Sequence, residues 1–231
     1  VSDAEIRTGL KGKIAKSKGS PMVEWVEVHP GGKWLYAFVS FMDSRPGLLR
    51  TYAVAPDGQL TDADAGGIEM GGYQPCHAAW ADEKFCIVAH YLSGHVEIYS
   101  MAISRTPKQT CLKRVPDRRV SDKVGSSALL NGASSETAFK LPQPMGEVAP
   151  LCHGVAICPN WVIAVDTGQN AIVSFPFDGH SGALGEPTSY DLSATGIAGN
   201  AGQALAAAKT GQRPRHATFA SGGGSVLILY E

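Results

Sequence analysis

No two of the five cysteines stand in a Cys-x-x-Cys spacing. Their number is odd, and 231 residues is longer than a disulfide-stapled secreted domain usually runs. The expectation is reduced thiols in a cytoplasmic protein. No apolar run approaches the ~20 residues that a membrane-crossing helix needs, and no basic-then-apolar leader opens the sequence. No membrane partner is therefore expected. Charge is scarce as well: Asp, Glu, Lys and Arg make up 18% of the chain and its formal net charge is −1. Such a balance gives no reason to expect nucleic acid as a partner.

Turn residues, by contrast, are plentiful. With 27 glycines, 14 prolines and 44% hydrophobic residues, the chain reads as globular, with many turns separating many short strands. Four stretches repeat one pattern, starting at residues 29, 81, 158 and 220. In each, small or polar turn residues give way to about six apolar residues, rich in Val, Ile, Phe and Trp. After a polar link a second run follows in the longer stretches, and two of them close on an Asp-Gly turn. These are hairpin signals. The apolar runs start at Trp34, Phe85, Val162 and Val226. Allowing for two insertions, the underlying period is near the ~45 residues of a four-stranded propeller blade. A β-sandwich does not normally reuse one internal pattern, so an all-β propeller is the preferred fold class. The insertions are placed at about 104–147, basic and then rich in Ser and Ala, and at about 193–210, rich in Gly and Ala. Residues 1–20 read as a flexible segment, and 21–231 as the propeller domain.

About ten residues before three of these runs, a turn-like segment delivers a histidine: "QPCH" (74–77), "LCH" (151–153) and "RPRH" (213–216). Propellers gather loops from every blade around one channel mouth, so a polar group repeated in each blade converges there. Imidazole, with a reference pKa near 6.5, accepts a proton at neutral pH. Arginine offers a planar fork to carboxylate, phosphate or a developing oxyanion. Each histidine also has a structural reading, as a hydrogen-bond partner of the neighbouring blade's backbone, and Arg215 has one as an inter-blade ion-pair partner. His216, one residue after Arg215 on a strand, should point the opposite way. The same alternation keeps Cys76–His77 and Cys152–His153 from chelating one ion, so no metal and no cofactor are expected.

The segments "QPCHAAWADEKFCIVAHYLSGHVEIYS", "LCHGVAICPNWVIAVDTGQNAIVSF" and "RPRHATFASGGGSVLILYE" resemble, in that order, shared segments of the lactonase-type seven-bladed propellers. That family includes 6-phosphogluconolactonases and carboxy-muconate cyclases. The resemblance covers about residues 25–231. It implies an incomplete propeller of about four to five blades, because full members are substantially longer. It implies His153, Arg215 and Glu231 as the catalytic set: His153 as acid or base, Arg215 on the anionic or carbonyl oxygen, and Glu231 assisting proton transfer. His77, Tyr91 and His216 take substrate-binding places. The activity implied is hydrolysis of 6-phosphogluconolactone, a small anionic lactone. Carboxy-muconate cycloisomerisation and a non-catalytic binding scaffold are the alternatives. Departures from the family pattern are Arg213 for glycine, His90 and Tyr230 for asparagine, and Ala171 for a basic residue. A ring of four or five blades leaves two open apolar faces, which are expected to drive association.

Overall fold

The computed structural model describes residues 21–41, 45–64, 66–101, 107–116, 150–192, 213–220 and 225–231. The expected flexible segment 1–20, the insertion at 193–210 and most of that at 104–147 lie outside the described residues. The first ten residues of the latter that are described, 107–116, contain a strand of a sheet.

All regular elements among the described residues are β-strands, grouped in four sheets. The first holds β1 (Pro21–Val28), β2 (Trp34–Phe41) and β3 (Leu48–Val54), with two short strands, β4 (Leu60–Asp62) and β5 (Ile68–Glu69), both pairing β3. The second runs β6 (Pro75–Ala81), β7 (Phe85–His90), β8 (His95–Ser100) and β9 (Lys108–Arg114). The third runs β10 (Cys152–Cys158), β11 (Trp161–Asp166) and β12 (Ala171–Asp178), with β13 (Ala183–Leu184) and β14 (Thr188–Asp191) on its outer side. The fourth is the pair β15 (Pro214–Phe219) and β16 (Val226–Tyr230). Neighbouring strands are antiparallel throughout.

The first strands of successive sheets lie side by side: β1 against β6, β6 against β10, and β10 against β15. Four sheets fanned about their inner strands make an incomplete β-propeller, and the ring is not closed. The sequence-predicted runs fall on β2, β7, β11 and β16, the second strand of each blade.

Three of these second strands, β2, β7 and β11, are mostly apolar because their blades are covered on both faces. In β7 every residue is buried. Phe85, Ile87 and Ala89 join Val96, Val155, Val162, Val173 and Phe175 in the core between the second and third blades. Cys86 and Val88 join Tyr36, Phe38, Leu49 and Tyr99 in the core between the first and second. Side chains alternate along a strand, so one run serves two cores. Each buried Phe, Ile or Val contributes about 1.5–3 kcal/mol by leaving water. A polar pair interrupts the second core. His90 Nε2 meets Glu97 Oε2 at 2.7 Å with both side chains fully buried, and Glu97 also accepts from the backbone N–H of Gly71 at 2.9 Å. The histidine that stands for asparagine at position 90 thus belongs to blade packing, its ring paired with Glu97 in the core.

Candidate functional site

The inner strands carry the site, and one irregularity in each strand aims it. In β6 the register jumps from Pro75↔His90 to His77↔Ala89, leaving Cys76 unpaired. In β10 it jumps from Cys152↔Asp166 to Gly154↔Val165, leaving His153. In β15 it jumps from Pro214↔Tyr230 to His216↔Leu229, leaving Arg215. In β1 the jump from Val23↔Val39 to Trp25↔Phe38 leaves Glu24. Each blade therefore carries a β-bulge at the same place in its first strand. A bulge bends the strand and re-aims the extra side chain. The four extra residues, Glu24, Cys76, His153 and Arg215, all line one cleft of about 360 Å³. That volume lies within the range of ~300–1,000 Å³ common to small-molecule sites. Trp25 and His216, each one residue past a bulge, complete the wall with Gln74 and Tyr91.

The structure thus brings together His153, Arg215, His216 and Tyr91 of the predicted residues. His153 is 9% exposed and packs edge-on against both Tyr91 (ring centroids 5.4 Å apart) and His216 (5.1 Å). Arg215 Nη1 pairs with Glu231 Oε2, and the backbones of Glu231 and Arg213 exchange two hydrogen bonds that hold the strand end in place. Glu231 reaches the cleft through this pair with Arg215. Two expectations are corrected. Arg215 and His216 do not point opposite ways, because the bulge breaks the alternation between them. The three histidines are not equivalent either: His153 corresponds to Cys76 and Arg215, whereas His77 and His216 correspond to Gly154. His77 is one place further along its strand. It stands outside this cleft, its ring 4.5 Å from Trp25 and 4.9 Å from His216, and its Nδ1 accepts the backbone N–H of Val155 at 3.2 Å. It borders a second cavity of about 520 Å³, floored by the small residues Ala78, Ala156 and Ala217 of three inner strands. The inter-blade hydrogen bond is the structural role foreseen for it.

Close approach of the third and fourth blades depends on Gly154. A Cβ there would stand 2.7 Å from the carbonyl oxygen of Arg215 and 3.1 Å from the Cα of His216. Both are backbone atoms, which cannot step aside.

The electrostatics follow from burial. Burial, and then the guanidinium of Arg215 and the imidazole of His216, push His153 down to about 4. Burial, and then His216 and His153, do the same to His77, and burial with Arg215 lowers His216. The imidazoles of His153 and His77 are therefore neutral at pH 7. The Nδ1 atoms of His153 and His216 are buried without a hydrogen-bond partner among the described residues. Unmet polar atoms of this kind cost roughly 1–3 kcal/mol each. Cys76 is no nucleophile. Burial and the nearby Glu24 carboxylate push its thiol up to about 12, and its Sγ donates to the His153 carbonyl at 3.3 Å.

Sequence reasoning missed Glu24, Trp25, Gln74 and the place of Cys76 in the cleft wall. The available signal was positional. Each bulge residue lies eight to eleven residues before the second strand of its blade, and counting back from Trp34 reaches Glu24.

Comparison with known proteins agrees with this fold. Residues 4–231 match the family described as lactonase, 7-bladed beta-propeller. Among solved structures, the Pseudomonas aeruginosa periplasmic gluconolactonase is similar at a TM-score of 0.61 and 18% identity, over 90% of this chain and 47% of that one. A candidate 6-phosphogluconolactonase from Bacteroides uniformis is similar at 0.62 and 16%, over 90% of this chain and 50% of that one. A second such candidate, from Bacteroides fragilis, gives 0.61 and 16% over the same shares. The chain thus spans about half the length of these structures, and at such identities they share its fold. No curated protein matches the sequence.

Proposed function

The chain belongs to the lactonase family of seven-bladed β-propellers, and from that membership we propose that it hydrolyses a six-carbon sugar lactone, 6-phosphogluconolactone, to the open-chain acid. The names of the similar solved structures, a gluconolactonase and two candidate 6-phosphogluconolactonases, support this substrate class. The observation that carries the reading is the meeting of His153 and Arg215 in one cleft, each set there by the bulge of its own blade.

Hydrolysis needs a proton acceptor for water, a cation for the oxyanion and a proton for the leaving oxygen. His153 enters the reaction neutral. It takes a proton as the water oxygen bonds to the lactone carbonyl carbon. The carbonyl oxygen becomes an oxyanion facing Arg215, whose guanidinium Glu231 holds in place. As the tetrahedral centre collapses, the ring C–O bond breaks and the proton on His153 passes to the departing ring oxygen. A positioned acid or base contributes about 10²–10⁴ in rate, and one oxyanion donor about 10²–10³. Release of acid from D-glucono-1,5-lactone and from its 6-phosphate tests the reading. His153→Ala and Arg215→Ala should each lower kcat/KM by at least about 100-fold. Wild-type rates in both variants remove these assignments, and failure of the parent chain to hydrolyse either lactone overturns the reading.

A further inference from the structure

The first blade contributes a carboxylate that the hydrolytic scheme leaves unused, and we infer that Glu24, together with Gln74 and Trp25, reads the ring hydroxyls of a sugar lactone and rejects lactones bearing extra carboxylates. This inference rests on the lactonase reading and deepens it. Glu24 occupies in β1 the bulge place that His153 and Arg215 hold in β10 and β15, and its side chain lines the same cleft. Its Oε1 accepts from Ser40 Oγ at 2.5 Å and from Gln74 Nε2 at 3.5 Å. Its Oε2 carries no hydrogen bond among the described residues and is available to a ligand hydroxyl.

Gln74 is held there at a cost. Its backbone is left-handed, with φ of 53°, immediately before Pro75, and its carbonyl accepts the N–H of Tyr91 at 2.9 Å. A non-glycine residue in that conformation is destabilising by about 1–2 kcal/mol. The strain places an amide against the Glu24 carboxylate. A carboxylate beside an amide accepts and donates to neighbouring hydroxyls at once.

Trp25 supplies the third element. Its Nε1 donates to Glu27 Oε1 at 2.9 Å, which fixes the indole as a flat wall of the cleft. A polyhydroxylated ring presents C–H groups on its face and hydroxyls at its rim, and matches an aromatic wall flanked by Glu24 and Gln74. A flat lactone with additional carboxylates meets the Glu24 charge instead.

Calorimetric titration of the whole chain tests this with two non-reacting or slowly reacting probes. D-Glucono-1,5-lactam is an uncharged polyhydroxylated ring, and isocitric lactone is a small lactone with two carboxylates. Glu24→Gln keeps the shape and removes the charge. It should weaken the lactam by about 10- to 100-fold and strengthen isocitric lactone by about tenfold. Gln74→Gly relieves the backbone strain, so it folds at least as well, and it too should weaken the lactam. A purely structural role for Glu24 would weaken both probes together. That outcome, an unchanged lactam affinity, or a parent chain that binds no lactam overturns the inference. Acid release from D-glucono-1,5-lactone, measured in parallel, separates the two readings. Lactam binding that depends on Glu24 without hydrolysis ends the hydrolase reading alone, and hydrolysis indifferent to Glu24→Gln ends this inference alone.

Discussion

Acid should unfold this protein through its histidines, at a pH where carboxylate-driven unfolding has barely begun. His77, His95 and His153 are each pushed down to about 4 from 6.5, in every case first by burial. In the unfolded chain each binds a proton near pH 6.5; in the folded protein each resists until about 4. Between those values the unfolded state holds more protons, so stability is present in full above pH 6.5 and falls as pH drops toward 4. The gap limits each histidine to about 3.5 kcal/mol at ~1.4 kcal/mol per pH unit. Acting together, the three remove at most about 10 kcal/mol, against a typical total of 5–15. The midpoint of acid unfolding should therefore lie above pH 4. Buried carboxyls do not cancel this. Those of Asp166 and Glu27 are pushed up, which favours the folded state only at the acid end of the window, and Glu97 is held low chiefly by His90 against its burial.

Urea titrations followed by tryptophan fluorescence at pH 7, 6 and 5 measure the effect directly. Midpoints should fall steeply from pH 7 to pH 5. His77→Asn offers an amide oxygen to the Val155 N–H in place of Nδ1 and cannot titrate, so it should remove about a third of the slope. Coincident midpoints at pH 7 and 5 would refute the reasoning, as would a slope unchanged in His77→Asn.

Gly154→Ala should leave the blades folded but move β15 off β10, since the added methyl meets backbone at 2.7 Å. A displacement of about 1 Å between His153 and Arg215 is worth on the order of 100-fold in kcat/KM, and wild-type lactone turnover in this variant would refute the close-approach argument. Leu227 and Leu229 are 58% and 63% exposed on β16, and Val26 and Val28 are 43% and 50% exposed on β1. Light scattering should show concentration-dependent association that the double change Leu227→Lys, Leu229→Lys reduces; a parent chain that stays monomeric at every concentration counts against it.

What could be read from the sequence followed the burial of each strand. β2, β7, β11 and β16 stood out because most of them are sandwiched between blades, which demands an apolar run such as Phe85–Ala89. The inner strands did not. β6 and β10 contain small residues, Ala78 and Ala79 or Gly154 and Ala156, so they resemble turns leading to a strand. β1 was overlooked outright, and Glu24 with it, because "PMVEWVEV" contains no histidine to mark it.

The same blindness explains the misaligned histidines. A bulge is a property of pairing between two strands, and nothing in "QPCH" or "RPRH" states which residue will be left without a partner. Aligned by residue type, His77, His153 and His216 look like one position repeated; aligned by register, that position holds Glu24, Cys76, His153 and Arg215. The second alignment carries the chemistry. A repeated backbone distortion delivers one side chain per blade to a common cleft whatever that side chain is, so an acid, a thiol, a base and a cation occupy equivalent places. The repeat is conformational, and the residue types are free to differ because no packing constraint on the bulge requires them to agree.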